Sequence, residues 1–198
     1  MMLDFSEEYV LENEFVRLIP LSTTHIDDLV SISLQNDIWK YSFLKGRGRE
    51  QLQSYVDATL DSKFKGLEYP FAVFDKKRNT IVGSTRLYEF IPLFESIRIG
   101  YTWYCEKSRG TKVNKSCKYL LFQFLFEDVG VNRIGLGTYA ENKVSIKAIE
   151  RVYCRFEGRI REYLPGIEGQ GRSDAMMYSM LKKEWRANKE KLSVQIKT

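Results

Sequence analysis

Ile99-Gly100-Tyr101-Thr102-Trp103-Tyr104-Cys105-Glu106-Lys107-Ser108-Arg109-Gly110-Thr111-Lys112-Val113-Asn114 runs from a strand through a short basic loop into a helix. Upstream, Ile97, Ile99, Tyr101 and Trp103 alternate along one face, the period-two pattern of a half-buried strand. Downstream, Val113 is followed by Cys117, Leu120, Leu121, Phe124 and Leu125 at offsets of 4, 7, 8, 11 and 12, one face of an amphipathic helix. Tyr119, Phe122 and Phe126 add a second apolar stripe. The helix is therefore expected to be buried on much of its circumference before Gly130 caps it. A glycine-bearing basic loop at a helix N-terminus suits an anionic phosphate. Unpaired N–H groups and the helix dipole point outward there, and Lys107, Arg109 and Lys112 add charge. Taken alone, such a junction is more often structural than binding. It is not a P-loop, because no GxxxxGK[ST] occurs. A dinucleotide-binding turn also fails, because Gly166, Gly169 and Gly171 come after the helices.

Around this segment, helical and strand patterns alternate without repeats or an interdomain linker. A strand is expected over Phe15 to Ile19, ending at Pro20, and a helix through Ile26, Leu29, Val30 and Leu34 behind the caps Ser22, Thr23 and Thr24. The loop Lys45-Gly46-Arg47-Gly48-Arg49, read as a mobile connector, leads to a second helix around Leu52, Tyr55, Val56 and Leu60. Phe71 to Phe74 and Ile81 to Phe90 form a hairpin across the polar turn Asp75 to Thr80. After Gly130 come a strand from Arg133 to Tyr139, a helix capped by Asn142, and strands near Phe156–Tyr163 and Ala175–Leu181. The order predicts an α/β (α+β) fold in one domain spanning 1–198, with a core of about 14–185. Its sheet is mixed, of about seven strands, with helices on both faces.

Composition sets the class. A chain of 198 residues with 43% hydrophobic and 29% charged residues buries a sufficient core without disulfides or metal. No apolar run is long enough to span a membrane, and the acidic stretch Met1 to Val10 does not read as a secretory signal. Cys105, Cys117 and Cys154 are odd in number and form no CxxC pair, as expected of reduced thiols in a cytoplasmic protein. The single histidine, His25, is expected on the surface, and its solitude disfavours His-based metal sites and Ser-His or Cys-His nucleophiles. The net charge is +5, and residues 182–198 carry +4 of it. Those residues read as a frayed, solubilising tail rather than a nucleic-acid surface.

Arg109-Gly110-Thr111-Lys112-Val113-Asn114, preceded by Ile99-Gly100-Tyr101-Thr102-Trp103, resembles the acetyl-CoA loop of the GNAT acyltransferases, most closely that of the RimJ/RimL-like branch. Asn142-Lys143-Val144-Ser145, Glu157-Gly158 with Arg161, Arg172-Ser173-Asp174 leading into Tyr178-Ser179, and Trp185 recur in the branch's order, so the resemblance runs from about Glu14 to Trp185. Lys112 stands where the family loop has a glycine, and Asn114 where it has a small residue.

The resemblance implies a mostly antiparallel GNAT sheet whose fourth and fifth strands splay around the pantetheine of acetyl-CoA. It also implies that backbone groups of Trp103, Tyr104 and Cys105 hold the pantetheine amides. The N–H groups of Arg109, Gly110, Thr111, Lys112, Val113 and Asn114 would hold the pyrophosphate, and Asn142 would reach the pantetheine arm. The activity implied is direct acetyl transfer to a primary amine, a protein N-terminus or a small molecule, without metal. The family's thiolate-protonating tyrosine is replaced by Ile149, and Ser145 is the branch's substitute or a plain surface hydroxyl. Glu162 matches the branch's base, with Glu95 and Glu89 as rivals. A homodimer using Trp185 and the strand Met176–Leu181 is also implied. Two other readings remain open: a silent acyl-CoA-binding module, given Lys112 and Ile149, and a nucleic-acid-associated protein, given the basic tail.

Overall fold

A computed structural model describes residues 3–35 and 37–197. Met1, Met2, Asn36 and Thr198, which include the ends of the acidic start and of the basic tail, lie outside the described residues. In chain order the elements are β1 (Leu11–Glu12), β2 (Val16–Pro20), α1 (Ile26–Ser33), α2 (Gly48–Phe64), β3 (Glu68–Asp75), β4 (Thr80–Ile91) and β5 (Ser96–Tyr104). They continue with α3 (Lys112–Gln123), β6 (Arg133–Tyr139), α4 (Lys143–Glu150), β7 (Arg155–Pro165), β8 (Arg172–Leu181) and α5 (Lys182–Lys197). The eight strands form one sheet in the order β1-β2-β3-β4-β5-β6-β8-β7. All pairs are antiparallel except β5 with β6, which run parallel, with α3 as their crossover. The strand beyond the expected seven is β1, which pairs Leu11 with Leu18 and Glu12 with Arg17.

Each helix covers the face its apolar residues select. Ile26, Leu29 and Ile32 of α1 and Leu52, Tyr55 and Val56 of α2 pack with Trp39, Ala72, Ile81 and Trp103 on one side. On the other, Val113, Cys117, Leu121 and Leu125 join Val16, Leu18, Phe71, Ile97 and Ile99. Thr111 caps α3 by accepting the Val113 N–H at 3.3 Å. The helix passes into a π-helical turn, Phe124–Val129, before Gly130 at φ +89° ends it. Asn142 caps α4, its Oδ1 accepting the Ser145 N–H at 3.1 Å.

Three expectations change. His25 is not on the surface: half-buried in a 3₁₀ turn, it accepts the Ser22 N–H on Nδ1 at 3.1 Å, and desolvation lowers its pKa. The segment read as a frayed tail is helix α5, because Trp185, Leu192 and Ile196 give it a buried stripe. Third, Trp185, expected at a contact between subunits, packs inside its own chain. Trp185 is 4% exposed, packs on Tyr119, Phe122 and Phe126 at ring distances of 5.8–5.9 Å, and donates from Nε1 to Glu127 at 2.6 Å. Tyr178 and Met180 are buried as well. Trp185→Ala should therefore destabilise the folded chain by about 3–5 kcal/mol in urea unfolding. Wild-type stability in that variant would place α5 outside the core.

Candidate active site

Strands β5 and β6 pair as Ser96↔Arg133, Ile97↔Ile134 and Arg98↔Gly135 and then part, although β5 runs on to Tyr104 and β6 to Tyr139. On its other edge β5 stays with β4 by accommodating one extra residue, since Ser84 faces Trp103 whereas Arg86 faces Gly100. Within this bulge Tyr101 adopts φ +48°. A buried cation fixes it. Arg86 is 1% exposed; its guanidinium lies between the rings of Tyr55 and Tyr101, 4.6 Å from each, and pairs with Glu68 at 2.6 Å. Tyr88 meets Tyr101 edge-on at 5.2 Å, and Trp103 Nε1 donates to Tyr55 Oη at 3.2 Å.

The Cys105 N–H donates to Val82 O at 2.8 Å. By the alternation of an antiparallel ladder, the Trp103 amide also faces β4, while that of Tyr104 faces the opening toward β6. Of the three residues expected to hold pantetheine, only Tyr104 thus turns its amide to the cleft. The Tyr104 carbonyl accepts from Arg109 Nε at 3.0 Å, and the Arg109 guanidinium also pairs with Asp37. Arg109 therefore braces the loop from within and does not extend over it. Its own N–H donates to Glu106 O at 3.0 Å, and that of Val113 is capped by Thr111. The expected row of six amides is shortened accordingly. Those of Gly110, Thr111, Lys112 and Asn114 remain at the start of α3, where helix geometry supplies no acceptor. Gly110 is exposed at φ +72°, with open space where a Cβ would lie. Lys112, in the family's glycine position, turns aside to donate from Nζ to Lys197 O at 3.1 Å, with Phe15 beneath it at 5.2 Å.

Asn142 and Ser145 sit half-buried at the start of α4, which follows β6, and Ile149 lies in the core. Glu162 lies elsewhere, on edge strand β7, with β8 between it and β6, roughly 10 Å from β6 at ordinary strand spacing. It is exposed and held at φ +50° by two clamps: its N–H donates to Asp174 Oδ1 at 2.7 Å, and its carbonyl accepts from Arg172 Nε at 3.0 Å. Arg161, Glu162 and Asp174 line an open cavity of about 660 Å³. No hydrogen bond joins Glu162 to Ser145 among the described residues. Glu95 is at the far end of β5, bonded to Asn132, and Glu89 pairs with Arg98 at 3.4 Å. The segment before α2 walls the opening, Tyr41 and Phe43 packing on Tyr139 at 5.7 and 5.8 Å. Lys45 in that segment donates to Trp39 O at 2.5 Å.

Two residues at the opening escaped the sequence reading. Arg86 looks like an ordinary strand cation. Lys118 is 5% exposed, and its Nζ donates to Thr102 Oγ1 at 3.1 Å. Its position three before Leu121 and four before Phe122 was the available signal, a lysine within a helix expected to be buried on much of its circumference.

The family model of the acetyltransferase (GNAT) domain matches residues 16–155, from β2 to the start of β7. A GCN5-related N-acetyltransferase from Brucella melitensis superposes with a TM-score of 0.88 at 27% identity, over 96% of this chain and 86% of that one. An acetyltransferase (GNAT family) from Bacillus anthracis gives 0.76 at 18% identity, over 89% and 100% of the two chains. RimL, a ribosomal L7/L12 alpha-N-protein acetyltransferase, gives 0.77 at 17%, over 88% and 94%. At such identities these last two share the fold. No curated protein matches the sequence. Among the described residues no helix is long and apolar enough to cross a membrane, and no cluster of His, Cys, Asp and Glu could hold a metal ion. The matched span contains the parted strands and the whole of α3, and the chain belongs to the GNAT acetyltransferase family.

Proposed function

We infer that the chain is a single-domain, acetyl-CoA-dependent N-acetyltransferase of the RimJ/RimL-like kind, which transfers the acetyl group directly to a primary amine of a protein N-terminus or a small molecule. The observation that carries this reading is the opening between β5 and β6, which leads from the bulge at Tyr101 to the free amides at the start of α3. An extended thioester arm fits between parted strands as a further strand would, its pyrophosphate on the amides of Gly110, Thr111, Lys112 and Asn114. The Tyr104 amide, turned to the opening, would face the reacting carbonyl from β5. One such donor is worth about 2.7–4 kcal/mol once the carbonyl oxygen gains charge. Holding amine and thioester together removes about 7–11 kcal/mol of barrier.

Glu162 takes the acceptor's proton in this reading. A non-glycine residue at positive φ, clamped on both sides of its peptide, is strain that the Arg172-Ser173-Asp174 motif sustains, and strain of this kind gathers at functional sites. Ser145 is the hydroxyl that the resemblance offers for the thiolate.

Release of free thiol from acetyl-CoA across a panel of N-terminal peptides and small amines tests the activity, and silence across the panel with no acetyl-CoA binding would end it. Gly110→Val should weaken acetyl-CoA binding about tenfold or more, because a β-branched residue resists φ +72° even with space for its side chain. Arg109→Ala, which alters a brace and spares the cradle, should weaken binding less in the same calorimetric titration. Glu162→Gln should lower turnover by about 10²–10⁴-fold with acetyl-CoA affinity kept. Near-wild-type turnover in that variant, together with an inactive Glu89→Gln, would move the base to β4.

A further inference from the structure

Lys118 is a buried ammonium short of partners. Its side chain leaves the second turn of α3 and ends at the bulge of β5, past the last β5–β6 pair, where Nζ donates to Thr102 Oγ1 at 3.1 Å. Thr102 Oγ1 is in turn 2.7 Å from Thr85 Oγ1 and 3.3 Å from Gly100 O, so the threonine is itself oriented. An ammonium has three donors. Among the described residues the other two have no acceptor, and no carboxylate pairs with this cation. The titratable groups that interact with it are the thiols of Cys117 on α3 and Cys154 in the turn between α4 and β7; Tyr104 of β5 lies against Cys117. Keeping an uncompensated charge dry is unfavourable unless something in the working state answers it.

Resting on the acetyl-CoA reading above, we propose that Lys118 is the acid that meets the departing thiolate at the β5 bulge, the role that Ile149 leaves vacant and that the resemblance gives to Ser145. As the acceptor nitrogen bonds to the acetyl carbon, the carbon–sulfur bond breaks and its electron pair stays on sulfur. Lys118 Nζ then passes one proton to that sulfur and becomes a neutral amine. The proton shed by the acceptor nitrogen goes to Glu162 or to water, and Nζ regains a proton from solvent after the thiol leaves. Burial supports the assignment, because desolvation pulls the Lys118 pKa down to about 8, near what a proton donor at neutral pH requires.

Two measurements test this without knowledge of the acceptor. The first follows the ultraviolet absorbance of the thiolate of CoA bound to the protein. Beside the Lys118 ammonium the thiol should ionise at lower pH than in free CoA, and Lys118→Met should abolish that shift, whereas Ser145→Ala should keep it. If Met does not yield folded protein, Lys118→Gln takes its place with the same expectation. The second is thermal unfolding against pH. The folded-state pKa lies below that of the unfolded chain, so the unfolded state binds more protons between about pH 8 and the ordinary lysine value near 10.5. The wild type should therefore gain stability with rising pH relative to Lys118→Met through that window. Lys118 lowers the pKa of the Cys117 and Cys154 thiols, so both proteins compared carry Cys117→Ala and Cys154→Ala, and Tyr104, common to both, cancels in the difference. An unshifted thiol with CoA bound, or weaker CoA binding in Lys118→Met with the thiol still shifted, would overturn the proposal. Wild-type protein that does not bind CoA at all would overturn the acetyl-CoA reading itself.

Discussion

Parallel strands are held together by their hydrogen bonds, and β5 and β6 keep only the pairing from Ser96↔Arg133 to Arg98↔Gly135. Backbone groups beyond that point would normally find each other, because unpaired amides are costly when buried. What keeps the strands apart is geometry on β5. An extra residue at Tyr101 turns the strand, and the Arg86 guanidinium, seated between Tyr55 and Tyr101 and paired with Glu68, locks the turn. One charge buried on the helix-α2 side thus maintains an opening that α3 flanks on the other side.

The two faces of the sheet divide the work. On the α1–α2 side, aromatic side chains dominate: Trp39, Tyr55 and Trp103 form a dry cluster, and Tyr41 and Phe43 extend toward the opening over Tyr139. This is the wall an incoming amine would meet. On the α3 side the opening is lined by polar groups inside an otherwise apolar core, with Lys118, Thr102 and Thr85 in a chain of hydrogen bonds. Unpaired amides suited to a phosphate lie at one end of α3 and a buried ammonium one and a half turns along it, so in the proposed function a single helix would provide both for an anion and for charge that develops during reaction.

Much of this was legible in the sequence. The element order, Gly130 as the end of α3 and Asn142 as the cap of α4 all follow from local periodicity and capping chemistry, which act within a few residues. The eighth strand was not legible, because Leu11–Glu12 is too short to show a period. Helix α5 was misread because its burial depends on three apolar residues, Trp185, Leu192 and Ile196, spaced among charges that dominate the composition. At the site, the cradle was readable as glycine plus cations, yet Arg109 braces the loop and Lys112 turns aside, and the unpaired amides are what remain. Arg109 and Asp37 meet across 72 residues of sequence, which no local pattern encodes. The same holds for Lys118, whose significance arises only where α3 crosses the bulge.

The clamp on Glu162 has a second effect, on how the molecule keeps to itself. Strand β7 closes the sheet with an outer row of backbone groups that another chain could extend, and it also exposes Phe156, Ile160 and Tyr163. Its register slips twice against β8, between Phe156 and Gly158 and between Ile160 and Leu164; Arg155, Arg159 and Arg161 are set among the apolar residues, and Pro165 ends it. Irregularity, charge and proline are the features by which exposed sheet edges avoid templating aggregation. The contortion that clamps Glu162 therefore also makes the rim of the sheet a poor template for a stranger's strand, and loosening it would be felt in solubility.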